Sequence, residues 1–253
     1  MRVAIVTGGS RGIGAATSVL LAQAGYTVVV NFARDAQAAA RVVGRITQAG
    51  GAAHAVQADM GEPAAIEDLF KAADAIGPLA ALVNNAGIVG GRMGRIGAFP
   101  PAEMRRLLDI NVLGCLVAAQ LAVPRMSTAQ GGAGGGIVNV SSVAARLGGP
   151  NAWVPYAASK GAIDSFTLGL AREVAGEGIR VNAVAPGWFD TDMTRRAFAG
   201  DPARREKVIG RTPLGRLGDP ADVGWAVAWL CSPAAKFVTG TIIPVDGGAS
   251  IGF

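Results

Sequence analysis

The chain has 253 residues, 51% of them hydrophobic and only 16% charged, which is ample material for the core of one large α/β domain. No Pro- or Ser-rich linker and no abrupt change of composition divides it, so a single domain over 1–253 is expected. The net charge of +5 and pI of about 9.8 raise nucleic-acid binding, but no aromatic-basic interleaving or binding motif accompanies them, so no nucleic-acid partner is expected.

Short β-branched runs alternate with longer Ala- and Leu-rich stretches. The expected strands are Arg2–Thr7, Thr27–Asn31, Ala52–Ala58, Ala80–Asn84, Gly136–Val140, Arg180–Ala185 and Thr241–Pro244. Between them, helical patterns fall near 13–24, 35–49, 63–76, 102–126, 155–175 and 220–231. Such alternation predicts a Rossmann fold: a doubly wound, seven-stranded parallel sheet with helices on both faces. Gly131–Gly136 reads as a flexible surface loop. The stretch 188–218 carries no strand and is rich in Arg, Gly and Pro, where a variable substrate loop would lie.

The first apolar run is too short for a signal peptide, and no uninterrupted apolar stretch approaches a membrane span. Cys115 and Cys231 lie far apart without metal-ligand spacing, which fits a reduced, cytoplasmic protein. His54 is the only histidine and falls in a strand. That leaves little room for a His-ligated metal or a Ser-His-Asp triad, and no metal is expected. The paired arginines Arg105-Arg106, Arg195-Arg196 and Arg204-Arg205 read mostly as solvated helix faces.

The first strand runs into Thr7-Gly8-Gly9-Ser10-Arg11-Gly12-Ile13-Gly14 and then a helix. Gly8 permits a tight turn, Gly12 lets backbone N–H groups approach a diphosphate, and Gly14 allows close packing of helix on strand. A glycine triplet alone is a weak signal; the strand before it and the helix after it make it specific.

The spacing T-G-x-x-x-G-x-G resembles that of the short-chain dehydrogenase/reductase family, including its glucose-dehydrogenase-like and 3-oxoacyl-carrier-protein-reductase-like members. The resemblance extends over nearly the whole chain. Asp59-Met60 matches the family position that meets the adenine, and Asn84-Asn85-Ala86-Gly87 its N-N-A-G, with Asn85, Ala86 and Gly87 as cofactor contacts. Asn111 matches the asparagine that disturbs a long helix and holds a water in a proton relay. Ser142, second of the Ser141-Ser142 pair, matches the serine that orients the substrate oxygen. Pro186-Gly187-Trp188-Phe189-Asp190-Thr191-Asp192-Met193 matches P-G-x-x-x-T-x-M, so Pro186, Gly187, the Phe189 backbone and Thr191 are expected near the nicotinamide. The C-terminal Val245-Asp246-Gly247-Gly248 matches the last strand, which in the family commonly packs across a tetramer interface, and a homotetramer is expected. One departure stands out: fourteen residues separate Ser142 from Tyr156, where many relatives have thirteen, and Gly148-Gly149-Pro150-Asn151 can absorb the extra one.

Tyr156 and Lys160 are four apart on a helix and therefore share a face. A free tyrosine is a poor base at neutral pH, and a nearby ammonium is expected to lower its pKa. The resemblance then implies hydride transfer between nicotinamide and a carbonyl or secondary alcohol. Tyr156 serves as acid/base, Lys160 holds the ribose, Ser142 polarises the carbonyl, and Asn111 links Lys160 to solvent.

The second strand ends Val30-Asn31-Phe32-Ala33-Arg34, with no carboxylate until Asp35. Asn31 and Arg34, with Ser10 and Arg11 of the glycine loop, are expected at the cofactor, and the two arginines favour NADP(H), with NAD(H) as the alternative. Trp153, Trp188 and Met193 point to an apolar portion of a small-molecule substrate. Arg125 and Arg172 could meet an acidic carrier protein but read more readily as surface residues. The rival reading is a catalytically silent Rossmann-fold binding or regulatory protein, disfavoured because every catalytic position is filled.

Overall fold

In the computed structural model, which describes residues 2–91 and 93–251, the chain begins with β1 (Arg2–Val6), α1 (Gly12–Gln23), β2 (Tyr26–Phe32), α2 (Ala36–Gln48), β3 (Ala52–Gln57), α3 (Pro63–Asp74) and β4 (Leu79–Asn84). It continues with α4 (Pro101–Leu108), α5 (Gly114–Met126), β5 (Gly135–Val140), α6 (Ala144–Leu147), α7 (Val154–Val174) and β6 (Ile179–Pro186). The final elements are α8 (Asp192–Phe198), α9 (Pro202–Gly210), α10 (Pro220–Cys231) and β7 (Ile242–Val245). The seven strands form one parallel sheet in the order β3-β2-β1-β4-β5-β6-β7.

Every residue of β2 is buried, as in a parallel strand covered on both faces, whereas β3 at the edge is mostly exposed and carries His54 outward. Alternation along β1 sends Ala4 and Val6 to one face and Val3 and Ile5 to the other. The first face packs against α1, α2 and α10 through Leu21, Val42 and Val227. The second packs against α3, α5 and α7 through Phe70, Ala118 and Leu170. The strand order reverses between β1 and β4, which opens a crevice at their carboxyl ends.

Three sequence expectations change. The helix expected over 102–126 runs from 101 to 126 but contains one π-helical turn at Asp109–Leu113, where the Gly114 N–H reaches back to the Asp109 carbonyl. By length and composition this helix could cross a membrane; here it packs against α3 and β4 as a core helix. Of the glycines read as a flexible loop only Gly131 is open; Gly132 and Gly134 are closely packed, and Gly135-Gly136 already belong to β5. A Cβ on Gly134 would lie 2.5 Å from the Gly178 carbonyl oxygen, so the close approach of two backbones demands glycine there. The stretch 188–218 folds into two short helices, α8 and α9, and its two ends are joined by the bridge between Phe189 and Gly218.

Candidate active site

The glycine loop leaves β1 and enters α1 with Gly8 and Gly12 at positive φ, 61° and 51°. A Cβ on Gly14 would lie 2.3 Å from the Gly8 carbonyl oxygen, so only glycine lets helix and loop meet. No side chain caps α1 and its first turn carries no acidic residue, whereas Asp35, Thr191, Asp201 and Asp219 cap their own helices. The α1 N-terminus therefore keeps its backbone donors and positive dipole end for an anion, which suits a dinucleotide diphosphate. Ser10, Arg11 and Ile13 lie on this turn, with Arg11 exposed.

Asparagine amides, Asn31 buried and Asn85 half-buried, hold the loop in place. Asn31 accepts from the Gly8 N–H at 3.0 Å and donates to the Ala58 carbonyl at 3.0 Å. Asn85 donates to the Thr7 and Gly8 carbonyls at 2.8 and 3.1 Å, and the Thr7 hydroxyl accepts from the Asn85 and Ala86 N–H groups. Both side chains are turned into the protein, because otherwise the loop's polar backbone would be buried without partners. Asp59 is likewise engaged by Arg106 and the Gly61 N–H. Burial alone would raise its pKa, but these donors hold it below the usual carboxylate value. Met60 beside it is buried.

The carboxyl ends of β4, β5 and the start of α7 bring four expected residues together. Ser142 Oγ receives the Ala144 N–H at 3.1 Å, reaches the Pro186 carbonyl at 3.4 Å and lies near enough to Tyr156 to lower its phenol's pKa. Lys160 is 4% exposed; its Nζ donates to the Val140 carbonyl at 2.6 Å and lies 5.7 Å from the centroid of the Tyr156 ring. Asn111, buried on the π turn, accepts from the Ile88 N–H and donates to the Ile88 carbonyl, both at 2.8 Å, and donates to Ser159 Oγ at 3.1 Å. Ser159 in turn donates to the Tyr156 carbonyl at 2.7 Å, which couples the π turn to the Tyr156 helix. Gly87 completes the group: a Cβ there would lie 3.4 Å from Asn111 Oδ1 and 3.6 Å from Lys160 Nζ.

The electrostatics differ from the simple expectation. Desolvation pushes the Tyr156 phenol above its ordinary value, with Ser142 acting the other way. Burial lowers Lys160 to about 8, since its ammonium is turned to a carbonyl, not to a carboxylate. Burial also pushes Cys115 and Cys231 up to about 12, so neither thiol is poised as a nucleophile.

Pro186 and Gly187 end β6, where a Cβ on Gly187 would press on Asp246 at 2.8 Å. The Phe189 ring is buried against Gly218, and Thr191 caps α8 beside Gly12. Trp188 packs against Trp153 and Phe198, with ring centroids 5.5 and 5.2 Å apart. Beyond them opens a cavity of about 870 Å³ bounded by Val143, Ala152 and Trp188 on the catalytic side and by α9 on the other. Met193, expected there, is exposed on α8 outside this lining. Arg125 is held by both oxygens of Asp74 and lies over Phe70, while Arg172 stays in solvent.

Sequence reasoning missed Ile88, Ser159 and Arg106, whose roles depend on contacts between distant segments. It also missed the α9 wall, although Asp201-Pro202 is a readable helix start.

The family model described as enoyl-(acyl carrier protein) reductase matches residues 8–250. The chain is 49% identical to Uncharacterized oxidoreductase YgfF of Escherichia coli (strain K12), over 98% of this chain and 100% of that protein. It is 38% identical to a 3-oxoacyl-[acyl-carrier-protein] reductase of Synechocystis, over 98% and 96%. The crystal structure of a gluconate 5-dehydrogenase from Burkholderia cenocepacia J2315 in complex with NADP and tartrate is 36% identical and superimposes with a TM-score of 0.90, covering 100% of this chain and 96% of that one. The chain belongs to the short-chain dehydrogenase/reductase family and is an oxidoreductase of that family.

Proposed function

We propose that this protein is an NADP(H)-preferring oxidoreductase acting on the CH–OH group of a secondary alcohol, or on the corresponding carbonyl, with Tyr156 as the acid/base. The observation that carries the reading is the convergence of Ser142, Tyr156, Lys160 and Gly87 at the carboxyl ends of β4 and β5, with Val143, next to Ser142, lining the 870 Å³ cavity.

The donors of the first turn of α1, from Ser10 through Gly14, would hold the diphosphate, and Gly8, whose N–H is taken by Asn31, shapes the loop before them. Asp59-Met60 would meet the adenine, Asn85 to Gly87 the central part of the cofactor, and Pro186, Gly187, Phe189 and Thr191 the nicotinamide end. The bound nicotinamide supplies hydride-transfer chemistry. Ser142 orients the substrate oxygen toward the Tyr156 hydroxyl. Burial keeps that phenol protonated at neutral pH, so in reduction it donates its proton to the developing alkoxide oxygen. Lys160 places a cation beside the resulting phenolate and would hold the ribose hydroxyls. Asn111, clamped on the π turn, positions Ile88 and, through Ser159, the Tyr156 helix.

The NADP(H) preference rests on charge. Asn31 at the end of β2 is turned inward, and the Asp35 carboxylate accepts the Ala38 N–H at 2.9 Å as the α2 cap. That leaves exposed Arg34 and Arg11 as the charges nearest a 2′-phosphate. The gluconate 5-dehydrogenase relative holds NADP. Homotetramer assembly belongs to the same reading, supported by exposed Leu113, Leu116 and Leu168 on the α4–α5 and α7 faces and by Phe237, which is 100% exposed before β7. Fluorescence titration with NADPH and NADH, then a carbonyl panel, tests the proposal. Failure to bind either nucleotide would count against it.

A further inference from the structure

We infer that the substrate carries an oxyanion, a carboxylate or a phosphate, at the end remote from the reacting carbon, and that α9 recognises it. This rests on the oxidoreductase reading above, and it assigns to the cavity a chemistry that the hydride-transfer site does not require.

The cavity has an apolar floor, formed by Leu147, Val208 and Trp188, and a cationic wall formed by Arg204, Lys207 and Arg211. Spacings of three and four residues place those three cations on one face of α9 and its C-terminal edge. They differ from other arginines around this segment. Arg195 is paired with Asp190 and Asp192, and Arg216 with Asp222. Among the described residues, no carboxylate lies in ion-pair contact with Arg204, Lys207 or Arg211. The one acidic residue in the lining, Asp201, accepts the Arg204 N–H at 2.9 Å as the α9 cap. The lining therefore carries a net positive charge, three cations against the one Asp201 carboxylate, facing a half-open cleft.

Arg204 is also held in position. Its guanidinium stacks over Trp153 at 5.1 Å from the ring centroid and touches Met93 Sδ. Trp153 is the residue that caps α7, one turn before Tyr156. A planar cation thus stands on the aromatic that begins the Tyr156 helix, with Lys207 and Arg211 farther along the same wall. Such an array suits an oxyanion, which arginine can bind through two parallel hydrogen bonds. Three cations would be a poor lining for a wholly apolar substrate.

The test compares kcat/KM with NADPH for levulinate against methyl levulinate, and for dihydroxyacetone phosphate against dihydroxyacetone, in wild type and in Lys207→Gln/Arg211→Gln. Neither substituted residue is part of the catalytic group, and both are exposed, so folding is retained. The expected result is a preference of at least about tenfold for one anionic member over its neutral partner. In the double variant that preference should vanish through KM, with kcat and the neutral ketone unchanged. Preference for levulinate identifies a carboxylate, and preference for dihydroxyacetone phosphate a phosphate. Equal turnover of charged and neutral partners overturns the inference and leaves the oxidoreductase reading intact. So does a better rate on an acyl thioester of an acidic carrier protein that is lost on Arg172→Ala. Absence of turnover on every carbonyl, with NADPH bound, overturns both.

Discussion

Asn111 grips Ile88 from both ends, its side-chain oxygen accepting the Ile88 N–H and its amide donating to the Ile88 carbonyl, each at 2.8 Å. A regular helix would not need an asparagine here; the π turn at Asp109–Leu113 turns it toward the segment after β4. Asn111→Ala leaves those backbone groups without their partner. The expected loss is roughly 1–3 kcal/mol of unfolding free energy, together with weaker turnover. Denaturant unfolding checks this, and an unchanged midpoint would show that the clamp is dispensable.

Two glycines should respond in opposite directions to the same substitution. A Cβ on Gly14 would meet the Gly8 carbonyl oxygen at 2.3 Å and Asn85 Nδ2 at 2.5 Å, so Gly14→Ala should displace the loop, lower Tm and weaken nucleotide binding. Gly44, inside α2, has nothing within 4 Å of its would-be Cβ. Gly44→Ala should therefore stabilise by about 0.5–1 kcal/mol through helix propensity. Calorimetry on both variants decides it; a destabilised Gly44→Ala would contradict the packing described.

The contrast shows what the sequence could reveal. The strand–glycine–helix entry, the alternation of elements and the Tyr156/Lys160 face follow from local spacing and were legible in advance. The inward turn of Asn31 and Asn85 was not, because it depends on the Ala58 and Thr7 carbonyls just past the ends of β3 and β1. Gly131–Gly136 misled for the same reason: a glycine needed for backbone contact with Gly178 looks, in sequence, like one that confers mobility. The expected lowering of Tyr156 by Lys160 gave way to desolvation, which spacing on a helix does not report. Arg204 reads as solvated because the cavity it faces also takes its wall from 143–152, more than fifty residues upstream.

Lys160 should make stability pH-dependent in a definite direction. Its folded value is about 8, depressed by burial from 10.5. Below pH 8 both states are protonated and the burial penalty, on the order of 3 kcal/mol, is present in full. Between 8 and 10.5 the folded protein releases the proton first, so stability rises with pH. Relative to Lys160→Met, the wild type should gain stability from pH 7.5 to 9.5 in urea titrations. A difference that stays flat would place the Lys160 titration outside that window.

Cofactor choice should follow Arg34. Arg34→Ala is expected to weaken NADPH about tenfold, or about 1.4 kcal/mol, and to leave NADH within about twofold. Equal effects on the two nucleotides, read by fluorescence titration, would remove Arg34 from the 2′-phosphate.

The most direct measurement is single-turnover reduction with NADPH by Tyr156→Phe, alongside its NADPH affinity. The account predicts unchanged binding and a rate at least about a hundredfold lower, since the proton donor is gone while the cofactor cradle is untouched. A variant that binds NADPH and reduces the substrate within a few-fold of wild type would show that the proton comes from elsewhere.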